Sequence, residues 1–524
     1  MQLFSAMGVG ALVQLLANAG VFRNSNEFML GVGRIKESFV RFGLTKQSVT
    51  VPAGAATTFQ APAVSPAYLG VGYIIGPELG ALNFAGGLLA WGLFVPLILF
   101  FLGPQLMPAY TSAAGVTDWA GMAGHVWRFI VRPIAVGGML VGASYTLFRM
   151  RKNLVTGVRR GIADVQKSAA AAAPTLRTER DLSFKTVLLG IVVVFVLMIG
   201  LYLYFTGVVG GAIFAAIVML VTGFFFAAVS GNLVGMIGSS NNPISGLTLA
   251  TTIVAALTMV VVGVKGSQGV AAVLGVAAVV CVSSAVAGEM LQDLKVGHIL
   301  GGTPWKMQIG DIIGVCVAGL VLYFPLYLLH TSDLASHPGN GGFGSPQLSA
   351  PQAGLMAALS QGIVGGEMAW PLVVVGIAMG LSLILVRVKS PMLFAVGMYL
   401  PLETTFAIFI GGVVRGFVDR QAARRGYNAA QKARVENAGV LTASGLIAGE
   451  ALMGLAAAGI VAWRAYRAAS DPTVEVAFPQ VKAMAAVAPW LAIVVMAALL
   501  AYLVYRPLGK AGAADEPAPP TAVM

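Results

Sequence analysis

The densest polar cluster in this chain is Gly238-Ser239-Ser240-Asn241-Asn242-Pro243-Ile244-Ser245-Gly246-Leu247-Thr248, set between two strongly apolar runs. Pro243 forbids a helix from continuing through it, and the glycines allow close backbone approach. Freed carbonyls, the amides of Asn241 and Asn242 and the hydroxyls of Ser245 and Thr248 suit a polar substrate or a cation. Amides opening the next apolar run suit a carboxylate. A tight loop would use the same residues. A second cluster holds Glu289, Gln292 and Asp293 at i, i+3 and i+4, one face of a helix end. Two carboxylates on one face compete for ionisation, which suits a proton-coupling site; a solvated helix end with Asp293 paired to Lys295 or Lys306 is the alternative. Glu403 stands beside Thr404 and Thr405 and close to Tyr399. Glu450 lies inside an apolar run. Either carboxylate needs a proton or a partner at membrane depth. Arg128 and Arg132, four residues apart, could attract a substrate carboxylate or snorkel to an interface. No nucleophile elbow, P-loop, metal-binding helix motif or dinucleotide fingerprint occurs. The four histidines are not clustered, so no metal ligands are assigned.

The elements that must position these residues are membrane helices. Charged residues make up 10% of the 524, far below the roughly 25% usual in soluble domains. Mean hydropathy is +0.86, and the apolar runs are continuous rather than alternating, which excludes a β-barrel. The expected fold is an all-α polytopic membrane protein. Its clear spans are 80–103, 123–149, 186–206, 208–230, 245–264, 268–288, 309–330, 369–387, 438–463 and 485–505, with a weaker one at 2–22, about 11 in all. Residues 1–510 read as a single transport domain, and 511–524 as a disordered tail. No cleavable signal peptide is visible, and Cys281 and Cys316 read as apolar buried thiols rather than a disulfide.

The net charge of +12 reflects topology rather than a nucleic-acid partner. Basic residues crowd 149–185 and 415–437, which places both in the cytoplasm, the former within reach of anionic lipid. Segments 104–122 and 331–368 have no Lys or Arg and belong outside. The helices alternate between these loops only if 390–413 enters and leaves on one side, broken at Pro391 and Pro401, and if 65–77 is a half-helix. Broken helices at membrane depth line cavities in transporters.

Both broken segments share a pattern. Ser65-Pro66, Val71-Gly72, Glu78 and Gly86-Gly87 recur 325 residues later as Ser390-Pro391, Val396-Gly397, Glu403 and Gly411-Gly412. This reads as an internal repeat of a duplicated transporter. Whether the repeat is inverted stays open. On this reading Tyr399, Thr404, Asn241, Asn242, Pro243, Ser245, Gly246 and Thr248 are candidates for substrate binding. Glu403, Glu289, Asp293, Glu450 and Glu78 are candidates for proton coupling. A membrane-embedded enzyme using Glu289 and Asp293 is a rival without a metal or nucleophile to support it.

The run Ser239 to Gly246 resembles the central motif of the oligopeptide transporter superfamily, which includes peptide and yellow-stripe-like metal-chelate transporters. Ser65 to Pro77, Gly288 to Lys295 with Thr303-Pro304, and Tyr399 to Leu402 are similar to its bacterial branch. The resemblance covers most of 1–505. It implies a multi-pass protein of the cell membrane that takes up small peptides or metal chelates with protons, without a bound cofactor; a homo-oligomer is left open. It also implies that family members carry several more helices ahead of the equivalent of Met1. A shortened, non-transporting form or subunit is therefore a second expectation.

Overall fold

The computed structural model describes residues 1–517 except 42–47, 112–116, 150, 153–154, 156–175, 238–243, 340, 346–347, 349, 367–368, 469–470, 472–473, 482–483 and 485. Among the described residues nine helices are long and apolar enough to cross a membrane, and Gln2–Asn18 and Trp370–Leu385 are shorter apolar helices. Each span read from hydropathy is a helix here. The protein is an all-α polytopic membrane protein. Its described residues pack as two compact units, the first comprising Met1–Met139, Pro325–Pro351 and the residues from Leu372 onward, the second Leu140–Phe324 and Gln352–Pro371.

The first unit contains both broken segments. Ser65 caps helix α2 (Pro66–Leu88): its hydroxyl accepts from the Tyr68 amide, and Pro66 takes the first turn, where no N–H is needed. Ser390 caps helix α3 (Pro391–Tyr399) the same way, through the Leu393 amide. The first segment breaks at Gly76, whose φ of 83° and ψ of 176° favour glycine, followed by Pro77. The second breaks at Leu400-Pro401, where Pro401 opens helix α4 (Leu402–Arg424). The sequence reading put breaks at Pro391 and Pro401 and a half-helix over 65–77; Pro391 instead takes the first turn of α3.

The two segments pack on each other reciprocally. Gly72 lies against the Ile408 carbonyl, and Gly397 against the Asn83 carbonyl; Gly86 meets the Phe394 carbonyl, and Gly411 that of Leu69. With the 325-residue spacing, each pair of contacts is one contact seen from the two repeats. Phe84 stacks on Phe409, its own counterpart, with centroids 5.0 Å apart and planes 10° from parallel. A residue touching its own repeat mate lies on the two-fold axis. Pro77 lies by Gly412, and Gly87 by Leu402 and Thr405, so α4 runs antiparallel to its mate. A two-fold axis relating antiparallel helices is perpendicular to them, hence in the plane of any membrane they cross. The repeat is inverted.

The same axis relates flanking helices. Helix α1 (Gln2–Asn18) packs on helix α5 (Ala429–Ala468), with Gly10 on the Leu446 carbonyl and Gly449 on that of Met7. Its counterpart is helix α6 (Trp370–Leu385) on the helix ending at Arg149, with Gly376 on the Ile134 carbonyl and Gly137 on that of Val373. All four contacts are small-residue approaches of helix backbones, the usual way helices associate in lipid.

An element absent from the sequence reading is an antiparallel hairpin, β1 (Glu27–Arg41) with β2 (Ser48–Gln60), inserted between α1 and the first broken segment. The tail read as disordered is held over 511–517: Arg434 donates to the carbonyls of Ala511, Ala513, Glu516 and Pro517.

In the second unit, helices Phe184–Thr206, Val209–Ile237, Ile244–Val262 and Gly266–Ile299 share an apolar core built from Tyr202, Ala215, Met219, Ala255, Met259, Val273 and Val276. Arg177, at the end of the basic segment, donates to the Thr303 hydroxyl at 2.8 Å and the Gly301 carbonyl at 2.8 Å. Its neighbours support a topology test. A cysteine at Phe343, exposed in the loop that has no Lys or Arg, should be labelled by an impermeant maleimide in intact cells, while one at Glu179 should be spared. The opposite pattern reverses the orientation drawn from the Lys/Arg count.

Candidate functional site

The first unit holds an open-sided cavity of about 970 Å³ beside the break of the second repeat. Pro401 and Glu403 supply one wall, the hairpin base another through Ser25, Glu27 and Gln60, and Trp91, Trp127 and Arg128 a third; Tyr110, His125 and His337 close the rim. A cavity bounded by broken backbone and lined by both signs of charge is a site for a polar ligand.

Each functional side chain is held by its neighbours. Gln60 donates to Glu27 at 2.6 Å and accepts from the Glu403 amide at 3.3 Å, tying the hairpin to the break. The Glu403 carbonyl accepts from the Ala63 amide at 3.1 Å, and its carboxyl stands beside the Ser25 hydroxyl and near Glu27. Tyr68, in the first broken segment, meets Thr404 with its hydroxyl, with Glu450 and Glu403 close enough to act on it. Glu450 itself accepts from Ser65 Oγ at 2.8 and 2.9 Å and from the Ala67 amide at 2.6 Å. It therefore supplies negative charge at the N-terminus of the half-helix, where free amides and the helix dipole favour it. On the far wall the Tyr110 hydroxyl bonds His125 Nδ1 at 2.8 Å.

Arg132 does not snorkel. Its side chain is buried, with the guanidinium 4.5 Å from the Trp127 ring and 4.3 Å from the Tyr399 ring. Nε donates to the Tyr399 carbonyl at 3.4 Å and Nη1 to that of Gly344 at 3.3 Å, while Nη2 has no partner among the described residues. Two aromatic faces take the place of a carboxylate. The Tyr399 read as a substrate residue is thus part of this stack, and the cavity wall of Trp127 rests on it.

The profile described as "OPT oligopeptide transporter protein" matches residues 9–461. The chain belongs to the oligopeptide transporter family. It is also 32% identical over 435 residues to a Haemophilus influenzae protein named "Putative oligopeptide transporter", covering 77% of this chain and 67% of that one.

The candidate residues read from the sequence fall in different places. Thr404 is buried between the two broken segments, next to the cavity. Glu78, the repeat mate of Glu403, forms an exposed ion pair with Lys389 instead of lining the cavity. Glu289 and Asp293 are exposed at the end of helix Gly266–Ile299, in the second unit. Asn241, Asn242 and Pro243 lie outside the described residues. Gly246 and Thr248 are buried in the first turns of helix Ile244–Val262, where the Thr248 hydroxyl bonds the Ile244 carbonyl at 2.8 Å; Ser245, half-buried, has polar contacts of its own. Sequence reasoning missed Glu27, Gln60, Tyr68, Trp91, Trp127 and His125. Only the tryptophans carried a signal, as bulky rings near the ends of apolar runs.

Proposed function

We propose that this member of the oligopeptide transporter family is a secondary transporter of the cell membrane that takes up small peptides with protons. The observation that carries the reading is the cavity at the break of an inverted repeat, with Arg128 on one wall and Glu27 and Glu403 on the others. A short peptide is a zwitterion of a size such a cavity takes, with a carboxylate for the arginine and an ammonium for the glutamates. The name of the Haemophilus relative points to the same substrate class. Inverted repeats supply alternating access, because each repeat adopts in turn the conformation of the other.

The test is uptake of labelled trialanine into proteoliposomes holding the purified protein. An inward proton gradient should drive accumulation above the external concentration, and unlabelled tripeptide should compete. A blocked C-terminal amide should compete about tenfold less well, the cost of one lost charge-assisted bond. No uptake of any tripeptide under a gradient would overturn the reading.

A further inference from the structure

The two-fold axis maps the Trp91, Trp127 and Pro401–Glu403 walls of the cavity, though not its hairpin wall, onto a second place in the first unit, where Tyr73 and Arg415 stand. Trp91 maps to Gly416, and the Pro401–Glu403 break to the Gly76–Glu78 break. Trp127 donates to the Met398 carbonyl at 3.1 Å; on the other side Gly439 packs against Tyr73, the repeat mate of Met398. Where the cavity has the Trp127 wall, the second place therefore has glycine with the Tyr73 ring against it, fully buried. One turn before Gly439 on the same helix is Glu436. Arg415 spans this place. Its Nη2 donates to Glu436 at 2.7 Å, its Nε to both oxygens of Asp419 at 3.0 and 3.1 Å, and its guanidinium carbon sits 5.5 Å from the centre of the Tyr73 ring. The Glu78–Lys389 pair lies at the matching break. Arg415 is mostly covered, while its two carboxylate partners are more than half exposed, so the cluster sits at a mouth.

We infer that Arg415, with Asp419 and Glu436, is the latch of the second mouth of the substrate path, holding it shut while the Trp127 side is open. This rests on the transport reading above, because a latch is needed only where two mouths alternate. Related halves of an inverted repeat that differ in conformation give one open and one closed mouth. Arg415 joins α4 to α5, the two elements that must separate for the second mouth to open. Breaking the join removes contacts made only in the present state and shifts the population to the other.

The test uses purified protein in detergent with Cys281→Ser and Cys316→Ser, and one reporter on each side. Gly416→Cys reports the second mouth; Gly124→Cys, in open space at the cavity, reports the first. Arg415→Gln should raise the maleimide rate at Gly416→Cys roughly tenfold and lower that at Gly124→Cys, a reciprocal change. Glu436→Gln should act in the same direction, and carries the test alone if Arg415→Gln does not fold. The swap Arg415→Glu with Glu436→Arg should restore the wild-type rates. Unchanged rates, or both rates rising together as in general loosening, overturn the latch. Reciprocal rates in a protein that accumulates no tripeptide uphold the latch and sink the peptide reading instead.

Discussion

Gly72→Ala and Gly397→Ala should each lower the thermal stability of the detergent-solubilised protein, and by similar amounts. A methyl group on Gly72 would run into the Ile408 carbonyl, and one on Gly397 into that of Asn83. Both obstacles are helix backbone, which cannot turn aside as a side chain can. The helices must move apart, and overpacking of this kind costs about 1–3 kcal/mol for a methyl and more for valine. Separation also loses backbone approach over the whole crossing, which in lipid is much of the association energy. Gly92→Ala and Gly454→Ala are the controls, since nothing stands within 4 Å of a methyl at either. Thermal unfolding followed by size-exclusion chromatography should show both crossing variants melting early and both controls unchanged. Loss at one glycine alone would mean that the two crossings are not equivalent, and the two-fold would describe chain tracing without energetics.

That symmetry was half legible in the sequence. The recurring Ser-Pro, Val-Gly and Gly-Gly pairs were visible in the sequence; that the two serines cap helices, and that the first break falls at Gly76, came from the structure. The spacing holds at 325 residues through Phe84 and Phe409, a match that a reading of prolines and glycines passes over. Beyond it the spacing changes. The hairpin at 27–60 lies between α1 and its broken segment, and α6 has no such insertion before α3, so the outer helices fall out of register. Only contacts such as Gly449 on Met7 and Gly137 on Val373 recover them. The hairpin was passed over because a hydropathy scan looks for spans of bilayer length, and alternation such as Val49-Thr50-Val51 is weak beside them.

The site was less legible than the fold. Hydropathy shows which carboxylates lie in apolar runs but not what faces them. It could not tell that Glu450 would bind the start of a half-helix, that Glu78 would meet Lys389, or that Glu289 and Asp293 would be exposed. Arg132 was read as a residue that attracts a substrate carboxylate or snorkels to an interface, because an arginine near a helix end usually reaches for water. Trp127 and Tyr399, 272 positions apart in the chain, make a buried place for it, and no local pattern could announce that pairing.

Glu403→Gln should abolish concentrative uptake while leaving exchange of substrate across the membrane intact. A carrier driven by protons needs a carboxyl that takes a proton while facing one side and gives it up facing the other. Among the carboxyls in or beside the broken helices, Glu403 alone lines the cavity and sits at a break in the backbone, two residues past Pro401. Ser25, just ahead of the hairpin, bonds its carboxyl, Glu27 stands near enough to act on it and Gln60 accepts from its amide, while Thr404 and Tyr68 continue from it towards Glu450. The amide keeps the shape and the hydrogen bonds but cannot release a proton, so the empty carrier should return no differently with or without a pH gradient. Two comparisons separate coupling from structure. Glu450→Gln leaves an oxygen for Ser65 and the Ala67 amide but removes the charge from the half-helix terminus, worth about 0.3–1 kcal/mol; it should lower stability and leave coupling in place. Glu78→Gln removes one partner of an exposed ion pair and should change accumulation little. Uptake and counterflow of labelled trialanine in the same proteoliposomes read all three. Wild-type accumulation by Glu403→Gln would move the coupling site elsewhere, and an equal loss of counterflow would make Glu403 a substrate ligand rather than the proton carrier.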